Sequence, residues 1–169
     1  AYSTVAQLGY LFLIFPLLAA PGALHAGVMQ VFAHGLAKAG MFAAAGVLIK
    51  ATGQDTVAGL AGAVERLPVT MFAFTLAGMT LMGLPPSSGF LAKWLIIEAV
   101  LAQGHWIIAV VVLAGGLLAA VYVLRVLRQA FLLTPASATL TPVPRTLEWS
   151  AFALAAGSVL LGLRGVELM

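Results

Sequence analysis

The sequence predicts an all-α, polytopic membrane bundle of about five transmembrane helices with one broken helix, and three observations support this. Of the 169 residues, 63% are hydrophobic and only 8% are charged, whereas soluble domains carry roughly a quarter charged residues. Apolar stretches of the length needed for a helical crossing, about 20 residues, recur along the chain. The alternating polar and apolar residues of membrane-barrel strands do not occur. The backbone of each span must therefore be satisfied within a helix.

The predicted spans are separated by proline, glycine and polar residues, which favour turns and loops. They cover residues 3–20, 23–50, 68–102, 105–133 and 146–163. Pro16 lies in the last turns of the first span and is expected to kink it. The third span would be roughly 50 Å long as one straight helix, too long for a single crossing, which predicts a break. Residues 134–145, rich in Pro, Ser and Thr, are predicted to form a loop.

Composition excludes several classes of function. The sequence has no cysteine, which rules out disulfides, iron–sulfur clusters and thiolate metal sites within this chain. No phosphate loop, dinucleotide fingerprint, nucleophile triad or metal-ligand cluster is present, so we predict no catalytic residue, no metal site, no cofactor and no redox chemistry in this chain. The net charge of +3 comes from 8 basic and 5 acidic residues. The basic residues lie mostly at helix ends, which indicates retention on the cytoplasmic side and not nucleic-acid binding.

A polar stripe lies on the second span. Gln30, His34 and Lys38 are spaced four residues apart and therefore share one face of an otherwise apolar helix. A charge near the bilayer centre costs at least roughly 2.5–3.5 kcal/mol, and intramembrane lysines accordingly mark ion pathways by default. Histidine can accept and donate a proton near neutral pH. We interpret His34 and Lys38 as proton-relay residues and Gln30 as a relay or water-channel residue. The simpler alternative is a lysine that only pairs with a carboxylate elsewhere.

The break predicted in the third span carries the second group of candidate residues. Its sequence, Gly-Leu-Pro-Pro-Ser-Ser-Gly, interrupts helical hydrogen bonding at Gly83, Pro85, Pro86 and Gly89. Broken helices at membrane depth line cavities or lie within protein, and they recur in ion-coupled transporters. Lys93 follows the break without an acidic residue three or four positions away, so we interpret it as a relay lysine. We predict a relay or channel-lining role for Ser87, Ser88 and Glu98. A proline kink with a packing lysine is the alternative.

Three segments together resemble one family of membrane proteins. They are Ala-Tyr-Ser-Thr-Val-Ala-Gln-Leu-Gly-Tyr at 1–10, the His-x-x-x-Lys-Ala-x-x-Phe pattern at 34–42, and Gly-Leu-Pro-Pro-Ser-Ser-Gly-Phe-Leu-Ala-Lys at 83–93. In order and spacing these segments resemble the antiporter-like membrane subunits of respiratory complex I (NADH:quinone oxidoreductase). The same family includes the large subunits of Mrp-type cation–proton antiporters and of membrane-bound hydrogenases. The resemblance covers roughly the first 130 residues.

The resemblance implies a fold of two inverted five-helix repeats, of which this chain would supply the second. Residues 1–133 would form the proton-translocation repeat, and residues 134–169 a loop and final span. Lys38 would be the middle relay lysine, His34 its partner, and Lys93 the terminal lysine. Gln30 stands where some members carry a second histidine. The expected partners are the first repeat, other membrane subunits of a complex and the bilayer, with protons or Na⁺ as the transported ions.

Two readings of function stay open at this point. One is a proton- or cation-translocating subunit of complex I, an Mrp antiporter or a hydrogenase-associated pump, in a bacterial or archaeal cytoplasmic membrane. The other is a structural membrane-arm fragment without transport of its own. A carrier of organic solutes would need polar groups to line a substrate cavity, and the sequence has few. Because the relay residues form half of a relay, we expect this chain alone to conduct poorly or not at all.

Overall fold

The computed structural model describes residues 2–18, 20–132 and 141–167, which fold as an all-α bundle. One 3₁₀ turn, Val57–Leu60, accompanies the α-helices. These are α1 (Tyr2–Phe12), α2 (Ile14–Leu17), α3 (Ala23–Thr52), α4 (Ala63–Arg66), α5 (Pro68–Met82), α6 (Ser88–Ala102), α7 (Trp106–Ala130) and α8 (Arg145–Glu167).

Three of these helices are long and apolar enough to cross a membrane individually. They are Ala23–Thr52, Trp106–Ala130 and, within α8, Arg145–Gly165. Two shorter apolar helical stretches, Thr4–Leu17 and Pro68–Met82, accompany them. Many large apolar side chains remain exposed, including Leu117, Leu118 and Val121 on α7, as expected where lipid or another membrane subunit replaces water. The predicted all-α membrane bundle is confirmed.

The first predicted span, residues 3–20, contains two helices instead of one. We expected one helix with a kink at Pro16, but α1 already ends at Phe12 and the short α2 follows from Ile14. Proline lacks an amide proton, and its ring clashes with the carbonyl four residues earlier. For Pro16 that residue is Phe12, so the interruption lies one turn before the proline that causes it. Leu13 still donates to the carbonyl of Gly9 at 3.2 Å.

The break predicted in the third span is confirmed. Helix α5 ends at Met82 and α6 begins at Ser88, so the two form a pair in series. Gly83, with φ of 82°, terminates α5 in a left-handed conformation that glycine adopts without steric cost. At the other end of the break, Ser87 caps α6 by accepting a hydrogen bond from the amide of Phe90 at 3.3 Å, as a helix N-cap does.

Helix α3 lies at the centre of the bundle and packs against α5, α6 and α8. Small residues make this possible: Ala37 and Ala44 are fully buried. A β-carbon on Gly40 would lie 2.9 Å from the backbone nitrogen of Ala155 on α8. Close backbone approach through small residues is the usual way in which membrane helices associate. The final helix, α8, was predicted only as an apolar span, and it contributes directly to the core.

The loops that carry basic residues lie at one end of the bundle. Gly62 donates to the carbonyl of Leu132 at 2.8 Å, and Thr141 donates to that of Ala51 at 2.9 Å. The loop expected at 51–67 contains the 3₁₀ turn and α4, and the final helix begins at Arg145. Most of the loop predicted at 134–145 lies outside the described residues. Loops at one end of the bundle can lie on one side of a membrane, and the cytoplasmic location suggested by their basic residues stays a prediction.

Candidate functional site at the helix break

The terminal lysine candidate is buried against the end of α5. Lys93 is 7% exposed, and its ammonium donates hydrogen bonds to the carbonyls of Leu81 and Met82, at 2.9 Å each. These carbonyls belong to the last turn of α5, where the helix dipole places partial negative charge. The backbone carbonyls at the break thus bind a cationic group inside the bundle.

Two glycines make room for this side chain. A β-carbon on Gly83 would lie 2.7 Å from Cδ and 3.0 Å from Nζ of Lys93. On α7, a β-carbon on Gly116 would lie 2.9 Å from the carbonyl oxygen of Met82 and 3.5 Å from Nζ. The aliphatic part of Lys93 therefore crosses a position where only glycine fits, and α7 covers the lysine from the other side.

Lys93 shares a small polar cavity with the stripe on α3. The cavity is lined by Gln7, Gln30, Ala33, His34, Thr80, Leu81, Gly89 and Lys93. The space that the centre of a water molecule can reach is about 10 Å³, which is close to the minimum needed for one water. The lining is polar on several sides and contains no carboxylate. The structure therefore brings together three residues that the sequence placed on two separate spans: Gln30, His34 and Lys93.

The polar groups in this cavity are only partly paired. Gln30 donates from Nε2 to Oε1 of Gln7 on α1. Within the described part of the chain, Oε1 of Gln30 and both ring nitrogens of His34 contact no hydrogen-bond partner. Buried polar groups are normally hydrogen-bonded to protein or water. The arrangement thus offers donors and acceptors around a space that fits one water molecule.

Lys38 lies outside this cavity. It follows His34 by one turn on α3 and is half-buried, with Nζ 5.4 Å from the centre of the Phe42 ring. An ammonium over an aromatic face is attracted by the ring quadrupole. Lys38 is therefore adjacent to the cavity along the helix, but it is not among the described residues that line it.

The other candidates occupy different surroundings. Glu98 is exposed on α6 and does not line the cavity. Ser87 caps α6, and Ser88 donates to the backbone carbonyl of Ser158 on α8. Gly89 lies so close to α5 that a β-carbon would overlap the carbonyl of Thr80. Pro85 and Pro86 form the exposed turn between the two halves of the broken helix.

The sequence did not reveal the contribution of α8 or of three buried polar residues, Gln7, Thr80 and Ser158. Ser158 on α8 and Thr80 on α5, both buried, have hydroxyl oxygens 2.9 Å apart. A β-carbon on Gly162 would overlap the backbone of residues 86–88. Gln7 lies on α1 and lines the cavity, but the sequence alone predicted no role for it. Its polarity on an apolar helix is the signal that marks it, whereas hydropathy alone could not place Ser158.

Residues 1–119 match the transmembrane family described as NADH:quinone oxidoreductase/Mrp antiporter. A protein named NADH-quinone oxidoreductase subunit N, from Desulforudis audaxviator, is 39% identical over 135 residues, covering 78% of this chain and 26% of that protein.

Two solved structures share the fold. In the Mrp complex from Dietzia sp. DQ12-45-1b, a chain matches with a TM-score of 0.87 and 26% identity, over 99% of this chain and 40% of that one. In respiratory complex I from Thermus thermophilus, the TM-score is 0.69 with 28% identity, over 96% of this chain and 36% of that one. This chain spans less than half the length of each of these relatives. It belongs to the NADH:quinone oxidoreductase/Mrp antiporter transmembrane family.

Proposed function

We propose that this chain is one repeat of a proton- or cation-translocating membrane subunit, in which His34, Lys38 and Lys93 carry the transported charge. The observation that carries the proposal is the position of Lys93. Its buried ammonium is held by two carbonyls at the helix break, beside a cavity that it shares with His34. Intramembrane ionisable groups are costly to bury, which favours a role in ion movement over a role in packing.

The local geometry suggests how a proton would pass. A water molecule in the cavity could accept a hydrogen bond from Lys93 and donate to a ring nitrogen of His34, which has no partner in the described chain. His34 and Lys38 lie one turn apart on α3, within side-chain reach of one another. The proposed path therefore runs from Lys38 through His34 and the cavity to Lys93. Gln30 would position the water through its free Oε1.

The wider assignment extends this proposal to the whole protein. The subunit would act with a first repeat and with other membrane subunits. This is supported by the similarity to chains from an Mrp complex and from respiratory complex I. It would lie in the cytoplasmic membrane of a bacterium or archaeon. Residues 1–133 would form the translocating repeat, and the final helix, α8, would support the break. Protons, or Na⁺ in an antiporter, would be the ions carried.

A static structural role is the second candidate, and one observation favours it. Lys93 caps the last carbonyls of α5, and such a cap would stabilise the break even if no proton ever moved. The two roles differ in what the removal of the charge does. A structural lysine is needed for assembly and stability, whereas a relay lysine is needed for ion movement in a protein that still assembles.

The test is Lys93→Met in the complete complex, with Lys50→Met at the exposed end of α3 as the matched control. Proton movement is measured in sealed vesicles, driven either by the electron donor or by an imposed Na⁺ gradient. We expect Lys93→Met to assemble and to lose most proton movement, with Lys50→Met unaffected. Full proton movement in an assembled Lys93→Met complex would exclude the relay. Failure of Lys93→Arg as well as Lys93→Met to assemble would favour the structural role.

A further inference from the structure

A second group of basic residues lies at the end of α7. Arg125 and Arg128 are exposed and three residues apart, which places both guanidinium groups on one side of the helix. Neither has a carboxylate partner in the part of the chain that the structure describes. Retention of basic residues on the cytoplasmic side explains their location along the helix, but not their placement beside a groove.

The groove beside these arginines is amphipathic. Its volume is about 520 Å³, and it is lined by Val121, Leu124, Arg125, Leu127, Arg128 and Phe131. Among the described residues that line it, the two arginines are the charged ones. Phe131, 67% exposed, forms part of its wall. A ligand that fits this surface needs an anionic end for the arginines and an apolar part for the remaining side chains.

The apolar part of the surface continues toward the middle of the membrane. Leu124 also lines a second groove of about 780 Å³ between α6 and α7, which reaches Leu117 on α7 and Trp94 on α6. Leu113 and Lys93 line the same groove. From Arg125 to Leu113 the axis of α7 advances ~18 Å at ~1.5 Å per residue. One leaflet of the hydrocarbon core is ~15 Å thick, half of the ~30 Å total. The combined groove therefore has the length of a lipid acyl chain.

We propose that this face of α7 is a binding site for an anionic phospholipid of the cytoplasmic leaflet. The phosphate is held by Arg125 and Arg128, and an acyl chain lies along Leu124 and Leu117 toward α6. Guanidinium groups bind phosphate through paired, charge-assisted hydrogen bonds, and basic pockets at this level of a membrane protein recognise anionic headgroups. A helix of a partner subunit would instead need carboxylates at the level of the arginines. Lys93 lines the second groove, but the proposal does not require Lys93 to carry a proton.

The test compares Arg125→Gln/Arg128→Gln with Arg145→Gln in the complete complex. Arg145 is an exposed arginine at the same end of the bundle but outside both grooves. Each complex is stripped of lipid, placed in nanodiscs of phosphatidylcholine with a minor fraction of phosphatidylglycerol, and analysed for retained lipid by native mass spectrometry. Loss of two surface charges is expected to lower phosphatidylglycerol retention about tenfold to thirtyfold. The Arg145→Gln complex is expected to retain it as the wild type does.

The experiment includes a charge-conserving variant and a competition with inorganic phosphate. Arg125→Lys/Arg128→Lys conserves the charge and should retain most of the lipid, and it serves as the readout if the glutamine variant does not assemble. Inorganic phosphate, added to these nanodiscs, should not displace phosphatidylglycerol, since the acyl chain contributes to binding. Equal retention by the glutamine variant and the wild type would overturn the proposal. So would competition by phosphate alone, or cross-linking of a photoreactive residue at Leu117 to a partner subunit and not to lipid.

Discussion

The contact between α8 and the helix break yields a prediction that can be made from geometry alone. A β-carbon on Gly162 would overlap backbone atoms of Pro86, Ser87 and Ser88, whereas one on Gly157 of the same helix has no atom within 4 Å. Gly162→Ala and Gly157→Ala therefore make the same chemical change on one helix in opposite surroundings. The pair separates the effect of close packing from the effect of helix propensity.

The expected magnitudes follow from two opposing contributions. Alanine stabilises a helix interior by about 0.8–1 kcal/mol relative to glycine, so Gly157→Ala should be neutral or stabilising. Gly162→Ala gains the same amount but must move α8 away from the break. Overpacking typically costs about 1–3 kcal/mol, and the overlapped atoms are backbone, which cannot rotate away. We expect Gly162→Ala to be the less stable variant by about 1–3 kcal/mol.

The assay is thermal unfolding of the two variants in the same lipid. For a domain of 150–250 residues, 1 kcal/mol corresponds to about 2–4 °C in melting temperature. Gly162→Ala should therefore melt about 2–12 °C below Gly157→Ala. Melting temperatures that agree within error, or a higher value for Gly162→Ala, would show that α8 does not pack against the break as described.

Three smaller predictions concern other polar contacts and the first helix. Gln7→Leu leaves the buried Gln30 amide without its partner, which should lower the free energy of unfolding by about 1–3 kcal/mol. Glu148→Leu removes the acceptor of the fully buried Thr70 hydroxyl, 2.9 Å away. Chemical denaturation should show a similar decrease in the free energy of unfolding, whereas Glu148→Gln, which keeps an acceptor, should be nearly neutral. Pro16→Ala restores an amide that can bond Phe12, so α1 and α2 should join and the amides of residues 13–17 should exchange more slowly with deuterium; unchanged exchange would mean that Pro16 does not cause the interruption.

The amino-acid sequence predicted those features that depend on local chemistry. Gly83 and the two prolines after it interrupt hydrogen bonding wherever they stand, so the break could be placed within a residue or two. The stripe of Gln30, His34 and Lys38 follows from helical periodicity. That His34 and Lys93 face one cavity could not be derived in this way, because it depends on how two separate helices pack.

Other features depend on long-range packing and were missed. Ser158 and Gly162 look unremarkable in a hydrophobic span, yet the first pairs with Thr80 and the second is in contact with the break. Small residues allow close approach in many helices, and nothing in the local sequence tells which neighbour they meet. Glu98 lies near Lys93 in sequence but on the exposed face of α6, and its relay or channel-lining role stays a prediction.

The central proposal is that His34 and Lys93 belong to one path, and a double-variant comparison tests it most directly. Proton movement is measured in vesicles carrying the complete complex with His34→Gln, Lys93→Arg or both. If the two side chains act through their shared cavity, the double variant should be no slower than the slower single variant, with a coupling free energy of about 0.5–3 kcal/mol. Losses that simply multiply, or wild-type proton movement in both single variants, would contradict the proposal.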